Sequence, residues 1–220
     1  MKDNRIKTLL VLLFNPKVKI LIKDHLIDSE IINNIYKDSE LDVQIFNKKS
    51  IIADIISKME IVNSIQKDIV CLTSNRFPLF KNRISRTKYK KVDEYVIIPS
   101  LHNPRWIIPT NTSDFGSMIR PSSVKAKIAI QLYRILSLFS LGTLIFPDRL
   151  SSFSTHIKRK DNAIDKICSK IPEKVSSRVI YLGSFGPLQK MTVEYVNGRN
   201  VKYYSKISDN NRTNNLLMNE

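Results

Sequence analysis

The sequence predicts an α+β fold in which a mixed α/β region comes first, a helical segment follows and three antiparallel strands come last. Short apolar runs and helically spaced isoleucines fill residues 1–78, the most apolar stretch lies at Ala129–Phe146, and an Asn-Gly turn separates two strand-like segments near residue 200. We therefore expect an N-terminal α/β region of unknown role in residues 1–150, a basic connector in residues 151–177 and the three strands in residues 178–220.

The α/β region combines helical and strand-like patterns. Apolar residues recur at helical spacing in two segments and alternate, or form short buried runs, elsewhere. The helical segments are Ile31–Ile35 and Ile51–Met59, the strands are Leu41–Phe46 and Asp68–Leu72, and the runs Leu9–Leu13 and Val18–Ile22 fit either two strands or a strand and a helix. This order is typical of a small α/β unit.

A hairpin is predicted further along the same region. The turn residues His102-Asn103-Pro104 separate the alternating segment Val92–Pro99 from the apolar segment Arg105–Pro109. Two such segments around a short loop pair as antiparallel strands. Trp106, the only tryptophan, is expected in the core.

A helix is predicted from Val124 because the serines just before it suit the cap of its first turn. Its apolar continuation approaches the roughly 20 residues that a bilayer span needs. Arg134 lies inside this stretch and Gly142 interrupts it, which favours a helix packed in the protein over a membrane span. Lys125 and Lys127 leave an interfacial role open.

The chain is strongly basic, with a formal net charge of +16 and a pI of about 9.8. This balance favours phosphate-bearing partners, but the heavy use of Ile, Lys and Asn is also what AT-rich coding produces, so both origins stay open. The basic run Lys81–Lys91 fits a solvated loop better than a phosphate-contacting patch. Cys71 and Cys168 lack CxxC spacing, which argues against a zinc site or a disulfide framework.

A cytoplasmic location is expected from the first residues. The apolar run Leu9–Phe14 is short for the core of a signal peptide, and Asn15-Pro16-Lys17 follows it in place of a small-residue cleavage site. These features favour a protein that stays in the cytoplasm.

The C-terminal part has the pattern of a β-meander. Its three segments are Val179–Leu182, Lys190–Val196 and Val201–Ile207. Asn197-Gly198-Arg199-Asn200 joins the last two, and Asn-Gly is the strongest short-range hairpin signal. A helix is expected from Asn214 to Glu220, whereas Arg149–Pro172 is polar and basic and is interpreted as the connector.

A glycine-containing loop lies between the first two of these strands. Gly183 and Gly186 would bring backbone N–H groups close to phosphate oxygens. The order of parts strengthens this interpretation, because the loop is followed by a hairpin, a strand with Lys206 and a helix with Glu220. In kinases a strand lysine holds the nucleotide phosphates and pairs with a helix glutamate.

The segment resembles the start of the kinase-like, aminoglycoside-phosphotransferase-type proteins of bacterial surface-polysaccharide biosynthesis. The matching residues are Leu182–Pro187, Lys190–Val193, Tyr204–Ile207 and Leu216–Glu220, with a looser match at Asn103–Pro109 and Arg120–Ser122. The resemblance implies that residues 178–220 form part of a kinase-like N-lobe and that ATP or another nucleotide is the cofactor. It implies nucleotide-binding roles for Gly183, Ser184, Gly186, Lys206 and Glu220, and membrane-associated polysaccharide assembly proteins as partners.

The match departs from the family in two ways. The loop has GxxG spacing where protein kinases have GxGxxG, and the sequence ends before any aspartate or asparagine that would orient an acceptor or hold magnesium. We therefore expect a truncated phosphotransferase-like protein that is inactive alone and binds nucleotide weakly or not at all, in the cytoplasm or peripheral to the inner face of the membrane. The alternative is a non-catalytic basic protein that binds nucleic acid or an anionic membrane.

Overall fold

The computed structural model describes eleven segments of the chain. They are residues 19–23, 42–46, 68–74, 90–110, 119–121, 123–139, 141–154, 163–172, 174–183, 191–197 and 201–207. The helices predicted at Ile31–Ile35, at Ile51–Met59 and from Asn214, and most of the basic run Lys81–Lys91, lie outside these segments.

Nine strands lie within the described segments and join into one sheet. They are β1 (Lys19–Lys23), β2 (Asp42–Phe46), β3 (Asp68–Ser74), β4 (Lys90–Ile98), β5 (Trp106–Pro109), β6 (Asp148–Ser154), β7 (Ser177–Tyr181), β8 (Met191–Asn197) and β9 (Val201–Ile207). Their spatial order is β2-β1-β3-β6-β4-β5-β7-β8-β9. β1 pairs in parallel with β2 and β3, and the other neighbours pair antiparallel.

The α+β prediction, with its helical segment and its separate three-stranded part, is wrong. The described elements are mostly strand and form a single mixed sheet. β7, β8 and β9 are antiparallel as predicted, but β7 also pairs with β5, where Trp106 lies opposite Tyr181 and Ile107 opposite Ile180. The local pattern of apolar residues reveals a strand but not its neighbour, because pairing between segments distant in sequence leaves no local signal.

β6 is the strand that the sequence pattern did not predict, since Arg149–Pro172 has the composition of a connector. Its sequence DRLSSFS contains two large apolar residues, and neither alternation nor an apolar run marks it. β6 nevertheless lies in the middle of the sheet, between β3 and β4. Leu150 is fully buried and Phe153 nearly so, which gives each face of this polar strand one apolar anchor.

Helix α1 (Val124–Leu138) begins as predicted, because the Ser123 hydroxyl accepts a hydrogen bond from the Ala126 N–H at 3.2 Å. It ends earlier than the apolar pattern indicates, and a 3-10 turn follows at Gly142–Leu144. A Cβ on Gly142 would stand 2.6 Å from Cε2 of Tyr133, so the return of the chain toward α1 requires glycine. Within the described segments, no helix is long and apolar enough to cross a membrane.

The two helices mark the two faces of the sheet. On the α1 face, Ile130 and Tyr133 of the helix belong to a core cluster with residues of β4, β5 and β7. On the opposite face, Ile164 of helix α2 (Ala163–Cys168) belongs to a larger cluster that runs from β1 to β8. Side chains of β4 alternate between these clusters, with Val96 on the α1 face and Ile97 on the α2 face, as strand geometry requires.

Two predicted hairpins are confirmed by the register. In the β4–β5 pair, Ile98 lies opposite Trp106 around the predicted His102-Asn103-Pro104 turn. In the β8–β9 pair, Asn197 lies opposite Val201, so the two strands pair on either side of the predicted turn. Trp106 packs against the α1-face cluster from a half-buried position.

Truncation of Ile107 should destabilise the sheet as one unit, because its side chain is fully buried beside the ladder that joins β5 to β7. For Ile107→Ala we expect the free energy of unfolding to fall by about 2–5 kcal/mol in a single transition. Urea denaturation followed by circular dichroism measures this change.

The matched control is Ile128→Ala, since the Ile128 side chain is 55% exposed. Its effect on the free energy of unfolding should stay within about 0.5 kcal/mol. Two separate transitions, with Ile107→Ala shifting one of them, would contradict a sheet that unfolds as one unit. That result would favour independent domains divided at residues 150 and 178, a division that stays a prediction.

Candidate functional site

The predicted phosphate-binding loop begins at Gly183, directly after β7. Gly183 has a φ of 74°, a left-handed conformation that glycine adopts without the strain that a Cβ adds. The preceding Leu182 is buried, and its N–H donates to the carbonyl oxygen of Arg105 at 2.9 Å, which fixes the point where the chain leaves the sheet. Ser184 and Gly186 lie outside the described segments.

The ladder register brings Lys206 to the same end of the sheet as Gly183. Tyr181 lies opposite Thr192 on β8, and Thr192 lies opposite Lys206 on β9. These three residues form one cross-strand row on the α1 face, which we call the Lys206 row. Neighbouring strands are about 4.8 Å apart, which puts the backbones of Lys206 and Tyr181 about 10 Å from each other. Lys206 is exposed, and Glu220, its predicted partner, lies outside the described segments.

The row continues through an aromatic residue on β5. Trp106 lies opposite Tyr181, and their ring centroids are 6.0 Å apart with 34° between the ring planes. Nε1 of Trp106 is buried and has no hydrogen-bond partner within the described part of the chain. The sequence pattern put Trp106 in the core and did not select Tyr181. Side chains alternate between the two faces of a strand, so Tyr181 could have been placed on the same face as Trp106 once the pairing of β5 with β7 was known.

A buried carboxylate occupies the adjacent row. Glu194 on β8 is fully buried and accepts a hydrogen bond from the hydroxyl of Tyr204 at 3.1 Å. In the β8–β9 ladder Glu194 lies diagonally from Lys206, and diagonal neighbours on one face are within reach of long side chains. Sequence reasoning did not select Glu194 because it lies in the middle of an alternating strand.

A second polar cluster lies on the α1 face near the centre of the sheet, around the side chain of Glu94. One of its carboxylate oxygens lies 3.1 Å from Nη1 of Arg149 and accepts a hydrogen bond from the hydroxyl of Thr110 at 3.1 Å. The other lies 2.7 Å from Nζ of Lys91 and accepts from the hydroxyl of Ser151 at 3.3 Å. The side chains of Glu94 and Arg149 are 16% and 18% exposed, so this ion pair is largely shielded from solvent.

A β-bulge in β4 allows Lys91 to join this cluster. The register shifts between Lys91, which lies opposite Phe153, and Asp93, which lies opposite Ser152. In a regular strand, residues three apart point to opposite faces, and the extra residue of the bulge returns Lys91 to the face of Glu94. The N–H of Asp93 donates to the hydroxyl of Ser152 at 3.2 Å, which satisfies the backbone at the irregularity.

The environment of Glu94 keeps this carboxyl ionised. Burial acts to raise its pKa, but the positive charges of Arg149 and Lys91 and hydrogen bonds from Lys91 and Thr110 lower the pKa below its ordinary value of 4.5. Each carboxylate oxygen has two partners, so the group is a fully satisfied ion rather than a proton donor. The cluster therefore joins β4, β5 and β6, and we assign it a structural role.

The described segments contain no group of three or more His, Cys, Asp or Glu residues that could hold a metal ion. No protein-family model matches the chain, and no curated protein or solved structure matches it either. The resemblance to kinase-like proteins therefore rests on the residues quoted above.

Glu94→Gln should destabilise the protein, because it leaves the largely buried Arg149 and the exposed Lys91 without the counter-charge of Glu94. We expect a loss of about 1–3 kcal/mol in the free energy of unfolding at neutral pH. Since folding lowers the pKa of Glu94, its stabilising effect is complete above 4.5 and is lost as the pH falls through the folded-state pKa. The difference between wild type and variant should therefore shrink on acidification, which urea denaturation at several pH values measures.

A double-mutant cycle with Arg149→Met tests whether these two side chains act together. The combined variant should be more stable than the sum of the two single losses predicts, because each single change leaves an unpaired charge. Strictly additive losses, or a difference that does not depend on pH, would contradict the coupling of Glu94 to Arg149.

Proposed function

We propose that the protein binds ATP or another nucleotide at the end of the sheet where Gly183 and Lys206 lie. The observation that carries this proposal is the ladder register, in which Lys206 and Tyr181 share one cross-strand row and Gly183 follows Tyr181 by two residues. Phosphate binding needs a backbone that oxygens can approach and a cation nearby, and this end of the sheet offers both.

Each residue has a role in the proposal. Lys206 neutralises charge on the phosphate oxygens, and Gly183, in its left-handed conformation and without a Cβ, lets them approach the backbone. By resemblance, three residues outside the described segments complete the site: Ser184, Gly186 and Glu220. The first two extend the phosphate cradle, and the glutamate orients the lysine. Glu194 is buried at the diagonal position, within reach of a side chain as long as that of Lys206.

The aromatic end of the row is proposed to hold the base. Trp106 and Tyr181 are half-buried and their ring centroids are 6.0 Å apart, so together they present aromatic surface in the same cross-strand row as Lys206. Stacking of a base on an aromatic side chain is favourable for every base, which agrees with a site that is not selective for one nucleotide.

We propose binding without turnover for these 220 residues. Phosphotransfer needs an aspartate that orients the acceptor and an asparagine and an aspartate that hold magnesium, and the residues that carry the resemblance include none of them. The GxxG spacing also gives fewer flexible positions than GxGxxG, so weak affinity is expected. On this proposal the protein works in the cytoplasm, near membrane-associated proteins of bacterial surface-polysaccharide biosynthesis.

Nucleotide binding should change the fluorescence of Trp106, which is the only tryptophan and lies in the proposed site. We expect ATP to quench this fluorescence in a saturable way, and adenosine to bind more weakly because it offers no phosphate to Lys206. Lys206→Gln should raise the dissociation constant for ATP about tenfold or more, the effect of losing one charge-assisted hydrogen bond.

The matched control is Lys202→Gln. Lys202 is on the same strand, but its register partner is Val196 at the opposite end of the ladder, so the substitution removes the same charge away from the site. ATP affinity should be unchanged in this variant. Equal weakening in both variants would indicate a general effect of positive charge, and the absence of any ATP-dependent quenching would remove the proposal.

A further inference from the structure

Helix α1 carries apolar side chains on the side that faces away from the sheet. Of the nine large apolar side chains that are exposed within the described segments, eight lie between Val124 and Leu144. We call this set the outer apolar face. It consists of Val124, Ile128, Leu132, Ile135, Leu138 and Phe139, with Leu141 and Leu144 of the turn that follows.

Five of these residues form a continuous stripe along the outer apolar face. Val124, Ile128, Leu132, Ile135 and Phe139 follow one another at intervals of four, four, three and four, the spacing of a single helix face. The helix has 15 residues, so the stripe is about 22 Å long. Single exposed apolar residues are ordinary, but a contiguous apolar patch marks an interaction surface.

Positive charge borders the stripe, and negative charge is absent from it. The sequence from Ile119 to Pro147 contains four basic residues and no aspartate or glutamate. Lys125 and Lys127 are exposed, and on an ideal helix they project about 60° and 100° to either side of Ile128. Arg120, just before the helix, is also exposed.

The other exposed charged side chains of the described segments have the same sign. Among the described residues whose exposure is known, every exposed Asp, Glu, Lys or Arg is a Lys or an Arg. A second copy of the chain would bring the same cations against one another across the stripe, which opposes self-association. A surface with an apolar interior and a negatively charged boundary complements both the stripe and its borders.

We infer that the outer apolar face of α1 docks the protein onto the surface of an anionic bilayer. The helix lies parallel to the membrane, with its isoleucines and leucines among the upper parts of the acyl chains and its lysines at the lipid phosphates. Ile130 and Tyr133 stay packed against the sheet, so α1 inserts its outer half alone. This inference does not depend on nucleotide binding, because no residue of the Lys206 row belongs to the outer apolar face.

Vesicle co-sedimentation tests the inference with two lipid compositions. The wild-type protein should sediment with vesicles that contain phosphatidylglycerol and much less with pure phosphatidylcholine vesicles. The paired substitution Ile128→Gln with Ile135→Gln should weaken binding to the anionic vesicles about tenfold, because glutamine preserves the helix but removes apolar surface. Gln131→Leu should strengthen it, since Gln131 is exposed beside the stripe.

Two double variants test how much the lysines beside the stripe contribute to vesicle binding. Lys125→Gln with Lys127→Gln should weaken binding to phosphatidylglycerol vesicles about 25-fold, at about fivefold for each lysine. Lys170→Gln with Lys174→Gln removes the same charge from exposed positions after α2, whose Ile164 packs on the opposite face of the sheet. This second pair should leave vesicle binding nearly unchanged.

Several outcomes would overturn the inference. Wild-type protein that stays in the supernatant, or equal losses from the two lysine pairs, would do so. A dimer in light scattering that the isoleucine pair dissociates would assign the stripe to a second copy of the chain. Binding to duplex DNA that is unaffected by the isoleucine pair, without vesicle binding, would assign the basic surface to nucleic acid. Circular dichroism verifies that each variant retains the fold.

Discussion

The pairing of β6 with both β3 and β4 is the interaction on which the rest of the sheet depends. Among the described strands, β1, β2 and β3 form a parallel group and β4, β5, β7, β8 and β9 an antiparallel group, and β6 alone pairs with both. Its serines suit this place, because Ser151 donates to Glu94 and Ser152 accepts from the backbone of Asp93. The small hydroxyl side chains of these serines thus supply hydrogen bonds in the middle of the sheet and occupy little volume.

The ionic cluster of Glu94 and Arg149 complements the polar sequence of β6. Burying two charges is costly, and the cost is offset where every oxygen finds partners, as both oxygens of Glu94 do. Apolar packing under α1 begins beside this cluster, and the Lys206 row lies farther along the same face. Both proposed binding surfaces are therefore on the α1 side, so a nucleotide bound at the row would lie on the side of the protein that faces the bilayer.

Much of the local structure could be predicted from the sequence, and most of the long-range structure could not. Alternation predicted β4, the serine cap predicted the start of α1, and the Asn-Gly signal predicted a hairpin between β8 and β9. β6 escaped because serines replace the apolar residues that mark a buried strand. For the candidate site, the order of glycine and lysine along the chain could be predicted from the sequence. The position of Trp106 in the same cross-strand row as Lys206, and of Glu194 diagonal to Lys206, depends on ladder pairing that no local pattern encodes.

The position of β6 also has a consequence for how the chain is made. The ribosome synthesises β3, β4 and β5 before β6, so both neighbours of β6 exist before the strand that lies between them. During that time β3 and β4 each present an unpaired edge, the feature that promotes aggregation of β-rich chains. The late strand is itself polar, with two large apolar residues in seven. The composition that hides β6 from pattern analysis thus adds no further aggregation-prone segment to the chain at this stage.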